Sequence, residues 1–167
     1  MSKTSRDTRA NEMAGAFLKF FYPIHYQFGK AIEDVMRDGK LTRKQVAILW
    51  LIHSEDIQGR GIARKELQRL IESWFEISRP VMTQTLRAMA RPPLSLVRLA
   101  EAPNSGREQI VSLTPRGRRR VEKMVENGQE LIMRGMAGVP EEEMKTLLRI
   151  YHSYLPKSLQ RILKPSG

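Results

Sequence analysis

Cysteine is absent from this chain of 167 residues, which excludes disulfides, thiolate redox sensing and cysteine-bound zinc. Histidine is scarce: His25, His53 and His152 lie far apart, and no paired carboxylates stand at metal or acid/base spacing. A protein that is not an enzyme is expected, with no catalytic residue, no metal site and no cofactor. Long apolar runs are missing too. The longest, Val46 to Ile52, falls far short of the ~20 residues that cross a bilayer, and Met1 to Asp7 is polar with no apolar signal core behind it. A cytoplasmic protein with no membrane partner is the expectation.

Acidic residues are in short supply: 18 Asp+Glu face 29 Lys+Arg, a net charge of +11. The imbalance is uneven, because residues 60–120 hold 13 basic and 5 acidic residues while the rest of the chain holds 16 and 13. Charge gathered in about a third of a chain indicates an anionic partner for that part, since solubility alone requires no such asymmetry. Nucleic acid leads. An anionic membrane surface is the rival, but the cations are spread over several elements and not along one amphipathic helix with a broad apolar face. At 41% hydrophobic and 28% charged, the chain is otherwise an ordinary soluble domain, and its nine methionines fall at helical spacing suited to filling a core.

The stretch from Ile77 to Arg120 organises the rest. Ser78 is a residue type that accepts a backbone N–H as N-cap, and Pro80 falls in the first turn, where a missing N–H costs little. Val81 or Met82, then Leu86 and Met89, recur on one helical side, and Arg79, Thr83 and Arg87 with Gln84 share the other. That second stripe suits the major groove, and equally a solvated polar face. Arg91-Pro92-Pro93 ends the helix. Two strand-like stretches, Leu94 to Glu101 and Glu108 to Leu113, flank the turn cluster Pro103-Asn104-Ser105-Gly106, with Arg107 at the tip where a winged helix sends a cation into the minor groove. Thr114-Pro115 then opens a helix whose first two turns carry Arg116, Arg118, Arg119 and Arg120. Cations there oppose the helix dipole at roughly 0.3–1 kcal/mol each, which an anion outside the chain would offset. Its apolar stripe, Val121, Met124, Val125, Gly128, Leu131, Ile132 and Met136, should be buried.

Upstream, residues 1–10 are polar and basic and read as a disordered arm. Met13, Phe17, Phe20, Ile24, Phe28, Ala31 and Val35 then mark a long apolar helical stripe that Pro23 should break or kink. Six aromatics between Phe17 and Phe28 suit contact with a second subunit or ordinary intrachain packing. Asp38-Gly39-Lys40 stops the helix, and Thr42 with Gln45 has capping-box spacing, closed by Leu41 and Val46 as a staple. Val46 to Ile52, Trp50 included, is apolar all round and should be buried. Ser54 to Gly61 is a polar loop and Ile62 a brief strand. Lys65, Leu67, Leu70, Ile71 and Trp74 mark a third helix, with Arg64, Lys65 and Arg69 outward, and this helix and the Ser78 helix compose a helix-turn-helix. A last helix after Val139-Pro140 has the stripe Met144, Leu147, Leu148, Tyr151 and Leu155, and Pro156 precedes Leu159 to Leu163.

Leu41-Thr42 with Gln45 and Leu49, Thr83 to Met89, and Arg107 followed by Val111, Leu113, Thr114 and Gly117 together resemble the MarR family of bacterial winged-helix regulators, in the same order over residues 41–117. The chain departs from the family pattern at Ser105, usually acidic, in a longer connection before the Ser78 helix, and at Arg91-Pro92-Pro93 in place of a glycine turn. The resemblance implies a mainly α (α+β) winged helix-turn-helix with N- and C-terminal dimerisation helices. The divisions are 1–37 for the arm and dimerisation helices, 38–120 for the DNA-binding core and 121–167 for the C-terminal dimerisation helices, all in one continuous domain. It further implies a homodimeric transcription regulator, a repressor or activator, on a palindromic double-stranded DNA operator, contacted by Arg79, Thr83, Gln84, Arg87, Arg107, Arg64, Lys65, Arg116 and Arg118. A small-molecule effector, often an aromatic acid, would lower DNA affinity from a cleft involving Tyr22, His25, Tyr26, Trp50 or His53. The alternatives are a sequence-neutral nucleic-acid-binding or nucleoid-associated protein, and a module whose aromatics bind a protein partner.

Overall fold

The computed structural model describes residues 3–56, 59–102 and 105–153, with the backbone alone for residues 3–7 and 105–107. Two compact units divide the chain, Met1–Leu131 and Ile132–Gly167. Helix α1 (Lys3–Pro23) passes through a π-turn (Ile24–Phe28) into α2 (Gly29–Arg37), followed by α3 (Arg43–Glu55), β1 (Ile62–Ala63), α4 (Arg64–Glu72), α5 (Arg79–Ala90), β2 (Val97–Ala102), β3 (Ser105–Leu113), α6 (Pro115–Gly135) and α7 (Glu141–Ser153). The expected winged helix-turn-helix is present: three helices, a hairpin and a closing helix, with one antiparallel sheet of order β1-β3-β2.

Helix α3 is the centre of the core. Its capping box forms as anticipated, with the Thr42 N–H donating to Gln45 Oε1 at 2.9 Å and the Gln45 N–H donating to Thr42 Oγ1 at 3.3 Å. Val46, Ala47, Ile48, Leu49, Leu51 and Ile52 are buried against Leu67 and Ile71 of α4, Met82, Leu86 and Met89 of α5, Val97 and Val111 of the hairpin, and Val121 and Met124 of α6. Each large side chain among them contributes about 1.5–3 kcal/mol by leaving water. Trp50 corrects the expectation of all-round burial, being 36% exposed on the row that also carries Arg43, His53 and Ser54. With 3.6 residues per turn, even a continuous apolar run leaves one row outward once neighbours occupy the other sides. On α5 it is Met82, and not Val81, that faces the core.

Other local expectations are also corrected. At Pro23 the expected interruption takes the form of a π-turn and not of a loop: proline lacks the N–H that would bond to the Lys19 carbonyl, α1 ends there, and the chain passes through one widened turn into α2. Residues 3–10, expected to belong to a disordered arm, have helical backbone. Ser78 stands at the N-cap of α5 with extended backbone, yet its side chain makes no cap bond. Trp74 lies beyond the end of α4 and is exposed, since the helical spacing that placed it inward no longer holds there. Burial along α6 fades past Gly128, with Ile132 exposed. In the second unit no residue of α7 is buried. Pro103-Asn104, Leu155, Pro156 and Leu159 to Leu163 lie outside the described residues.

One basic residue at the start of α6 is structural. The Arg120 side chain is only 14% exposed, donating from Nη1 to Asp38 Oδ2 at 3.0 Å and from Nη2 to the Arg37 carbonyl at 2.7 Å. An intrachain carboxylate therefore supplies the anion expected from outside for this arginine. Farther along α6, Asn127 Nδ2 donates to the Val35 carbonyl at 3.1 Å, so the same helix is tied to α2 a second time. The Arg120 guanidinium, then Lys40, holds the Asp38 carboxyl below its ordinary value. A carboxyl lowered by folding stabilises at neutral pH and loses that contribution as pH falls through and below the ordinary carboxylate range. Asp38 has a left-handed backbone (φ 49), which asparagine tolerates. Asp38→Asn is therefore expected to melt lower at pH 7 and to approach the wild type as both are acidified. Thermal melts from pH 7 to 3 that run parallel would refute this role.

Candidate nucleic-acid interface

Sealing Met82, Leu86 and Met89 inward leaves the opposite side of α5 to solvent. Arg79, Gln84 and Arg87 are exposed there, and Pro80, Thr83, Gln84, Arg87, Ala88 and Arg91 line a shallow groove of ≈480 Å³. Arg87 sits in the last turn, where a cation is favoured by the helix dipole. Among the described residues, neither Arg79 nor Arg87 forms an ion pair, so both guanidinium forks are open to a ligand. Arg91 joins this groove as well as stopping the helix, and its place four residues after Arg87, in step with Arg79 and Thr83, is the signal in the sequence that could have found it.

Thr83 behaves differently. Its Oγ1 donates to the Arg79 carbonyl at 2.8 Å and accepts from Arg64 Nη2 at 2.5 Å, while Arg64 Nη1 donates to Gln109 Oε1 on β3 at 2.9 Å. Arg64 and Thr83 are thus engaged with each other. Gln109 completes the set, and nothing in the sequence beyond its place in a strand signals that role. Lys65 is exposed beside them on a larger groove of ≈1300 Å³ between α4 and the hairpin, which also holds Arg69, Glu66, Glu72, Glu101 and Glu108. That groove is of mixed charge, and Arg69 is already paired with Glu66, whose carboxyl it holds below the ordinary value.

The hairpin is anchored in the core at its base. Val97 pairs with Leu113 and Leu99 with Val111 at its base, where the inward side chains join the core, and a register shift between Glu101 and Ala102 bends the outer end. Arg107 belongs to β3 by its backbone, and its side chain lies outside the described residues. Arg98 on β2 adds an exposed cation. At the start of α6, Thr114 caps the helix by accepting the Gly117 N–H at 2.9 Å, and it donates to the Ser95 carbonyl at 2.7 Å. Arg116, Arg118 and Arg119 are exposed there, with no ion pair among the described residues.

The aromatic candidates fall into two groups. Tyr22 and Tyr26 stand 4.8 Å apart by ring centroids, His25 meets Tyr26 edge-on at 5.0 Å and stacks on Phe21 at 5.8 Å. Hydrogen bonding with Tyr26 raises the Tyr22 phenol above its ordinary value. Trp50 and His53 form the second group, at 6.2 Å. Among the described residues no ring contact joins the groups, and neither groove above includes them.

No sequence-family model and no curated protein matches the chain. Solved structures do. A MarR family protein from Bacillus stearothermophilus matches with a TM-score of 0.72 at 17% identity, over 92% of this chain and 98% of that one. A mutant MarR from E. coli complexed with operator DNA matches with a TM-score of 0.61 at 18% identity, over 84% and 94%. A mutant MepR from S. aureus bound to an oligodeoxyribonucleotide matches with a TM-score of 0.57 at 17% identity, over 86% and 96%. Matched to these proteins over most of its length, the chain has the winged helix-turn-helix fold of the MarR-family transcriptional regulators.

Proposed function

We propose that this protein is a dimeric regulator of transcription that binds double-stranded DNA sequence-specifically, acting as a repressor that a small aromatic ligand releases. The observation that carries the DNA reading is the α5 row: Arg79, Gln84 and Arg87 stand exposed on a helix whose other side is sealed into the core. A guanidinium fork matches the edge of guanine and a carboxamide that of adenine. The excess of cations in residues 60–120 supplies the attraction to phosphates. Two proteins of this fold are bound to operator DNA or an oligodeoxyribonucleotide, which supports the same reading here.

Dimerisation rests on uncovered apolar surface in both units. Met13, Phe17, Leu18 and Phe20 are exposed on α1, and Leu147, Leu148, Ile150 and Tyr151 on α7. A second copy would cover such surface symmetrically and set two α5 helices about 34 Å apart, one turn of DNA. The exposed Tyr22, His25, Tyr26, Trp50 and His53 rings are the surface on which an aromatic ligand would act, by favouring a spacing that cannot dock.

The test is titration of a duplex selected from a random pool, against its scrambled version, at several salt concentrations, with sedimentation of the free protein and one titration arm containing phenolic acids. A regulator keeps a large specificity ratio as salt rises, whereas a sequence-neutral binder loses affinity for both duplexes together. A monomer at micromolar concentration would refute the dimer, and phenolic acids without effect on affinity would refute the release.

A further inference from the structure

We infer that Arg64 is a positioning residue that sets the angle between the α5 helix and the wing, and that Thr83 serves this bridge and not the DNA. The inference rests on the DNA reading above for its functional consequence, but the bridge itself rests on geometry alone. Arg64 opens α4 directly after β1, whose Ile62 and Ala63 pair with Val111 and Ile110 of β3. From that point its planar fork reaches two elements at once: Nη1 bonds Gln109 on the wing at 2.9 Å and Nη2 bonds Thr83 on α5 at 2.5 Å. The Thr83 hydroxyl then has no proton left to offer, because it already donates to the Arg79 carbonyl at 2.8 Å.

A cation at the first turn of a helix is disfavoured by the dipole, and here two neutral oxygens on separate elements hold it in place. The fork matters more than the charge, since five donors in a fixed plane satisfy two acceptors that a single ammonium cannot both reach in line. Helix and wing are expected to engage neighbouring grooves, so an error in their relative angle costs readout even where every phosphate interaction survives. The base-reading row accordingly reduces to Arg79, Gln84 and Arg87.

Arg64→Lys keeps the charge and breaks the fork, Thr83→Val removes the hydroxyl at nearly constant volume, and Thr83→Ser keeps it. Amide hydrogen exchange of the free, full-length protein is expected to quicken several-fold in the β2–β3 hairpin for the first two variants and to stay at the wild-type rate for Thr83→Ser. On DNA, the ratio of selected to scrambled affinity should fall on the order of tenfold for Arg64→Lys and Thr83→Val with the salt slope unchanged. The double variant should be no worse than either single one. Unchanged hairpin exchange would overturn the bridge. So would full specificity in Arg64→Lys, which a simple phosphate interaction predicts. Quickened exchange in a protein that binds no duplex would refute the DNA reading and leave the bridge standing.

Discussion

Replacing Arg87 with alanine is expected to cost about 1–3 kcal/mol of binding to the preferred duplex and much less on a scrambled one. The expectation follows from where the side chain is. Arg87 is exposed in the last turn of α5, lines the shallow groove with Gln84 and Arg91, and makes no ion pair among the described residues. A guanidinium with no internal partner loses nothing inside the protein when it bonds a base edge, so its removal should appear almost entirely in the complex. Arg107 provides the contrast. On a wing it would meet the minor groove or phosphates, where charge and groove width decide. Arg107→Ala should weaken most duplexes alike and make the logarithmic salt slope shallower by about 0.9 for each phosphate it no longer neutralises. The comparison is made on selected and random duplexes across salt. If Arg107→Ala erased site preference while Arg87→Ala lowered both affinities equally, helix and wing would have to exchange roles.

Adding one methyl group at Gly117 is expected to destabilise the protein by about 3 kcal/mol, near the upper end for overpacking. A Cβ there would stand 2.0 Å from the Leu96 carbonyl oxygen and 3.0 Å from its carbon, a clash with backbone that no rotamer can relieve. That carbonyl also accepts the Thr114 N–H at 3.0 Å, so moving it disturbs the junction of hairpin and α6. Gly128→Ala, in the same helix, is the control. Its nearest neighbour would be Met36 Cγ at 3.9 Å, ordinary van der Waals distance, and the gain in helix propensity should stabilise by roughly 0.5–1 kcal/mol. Chemical denaturation of the two variants reads the opposite signs directly. Equal stability of Gly117→Ala and wild type would show that the hairpin does not pack on α6 as described.

What the sequence determined by itself about this protein is what depends on near neighbours and on counting. The Thr42–Gln45 cap, the burial of Met82, Leu86 and Met89, the stop at Arg91-Pro92-Pro93, the hairpin and the Thr114 cap all arise from residues a few positions apart, and all are present. The cationic excess of residues 60–120 was likewise countable. Tertiary structure decided which of those cations are free. Arg120 meets Asp38 across 82 positions, and Arg64 meets Thr83 and Gln109 across 19 and 45, so two arginines assigned to an outside anion are occupied within the chain. The outward turn of Trp50 was decided in the same way, by which neighbours took the other sides of α3. Periodicity says that a helix has faces, but which face meets which partner depends on how distant elements pack, because a side chain's partners are whatever the fold brings within about 3 Å of its polar atoms.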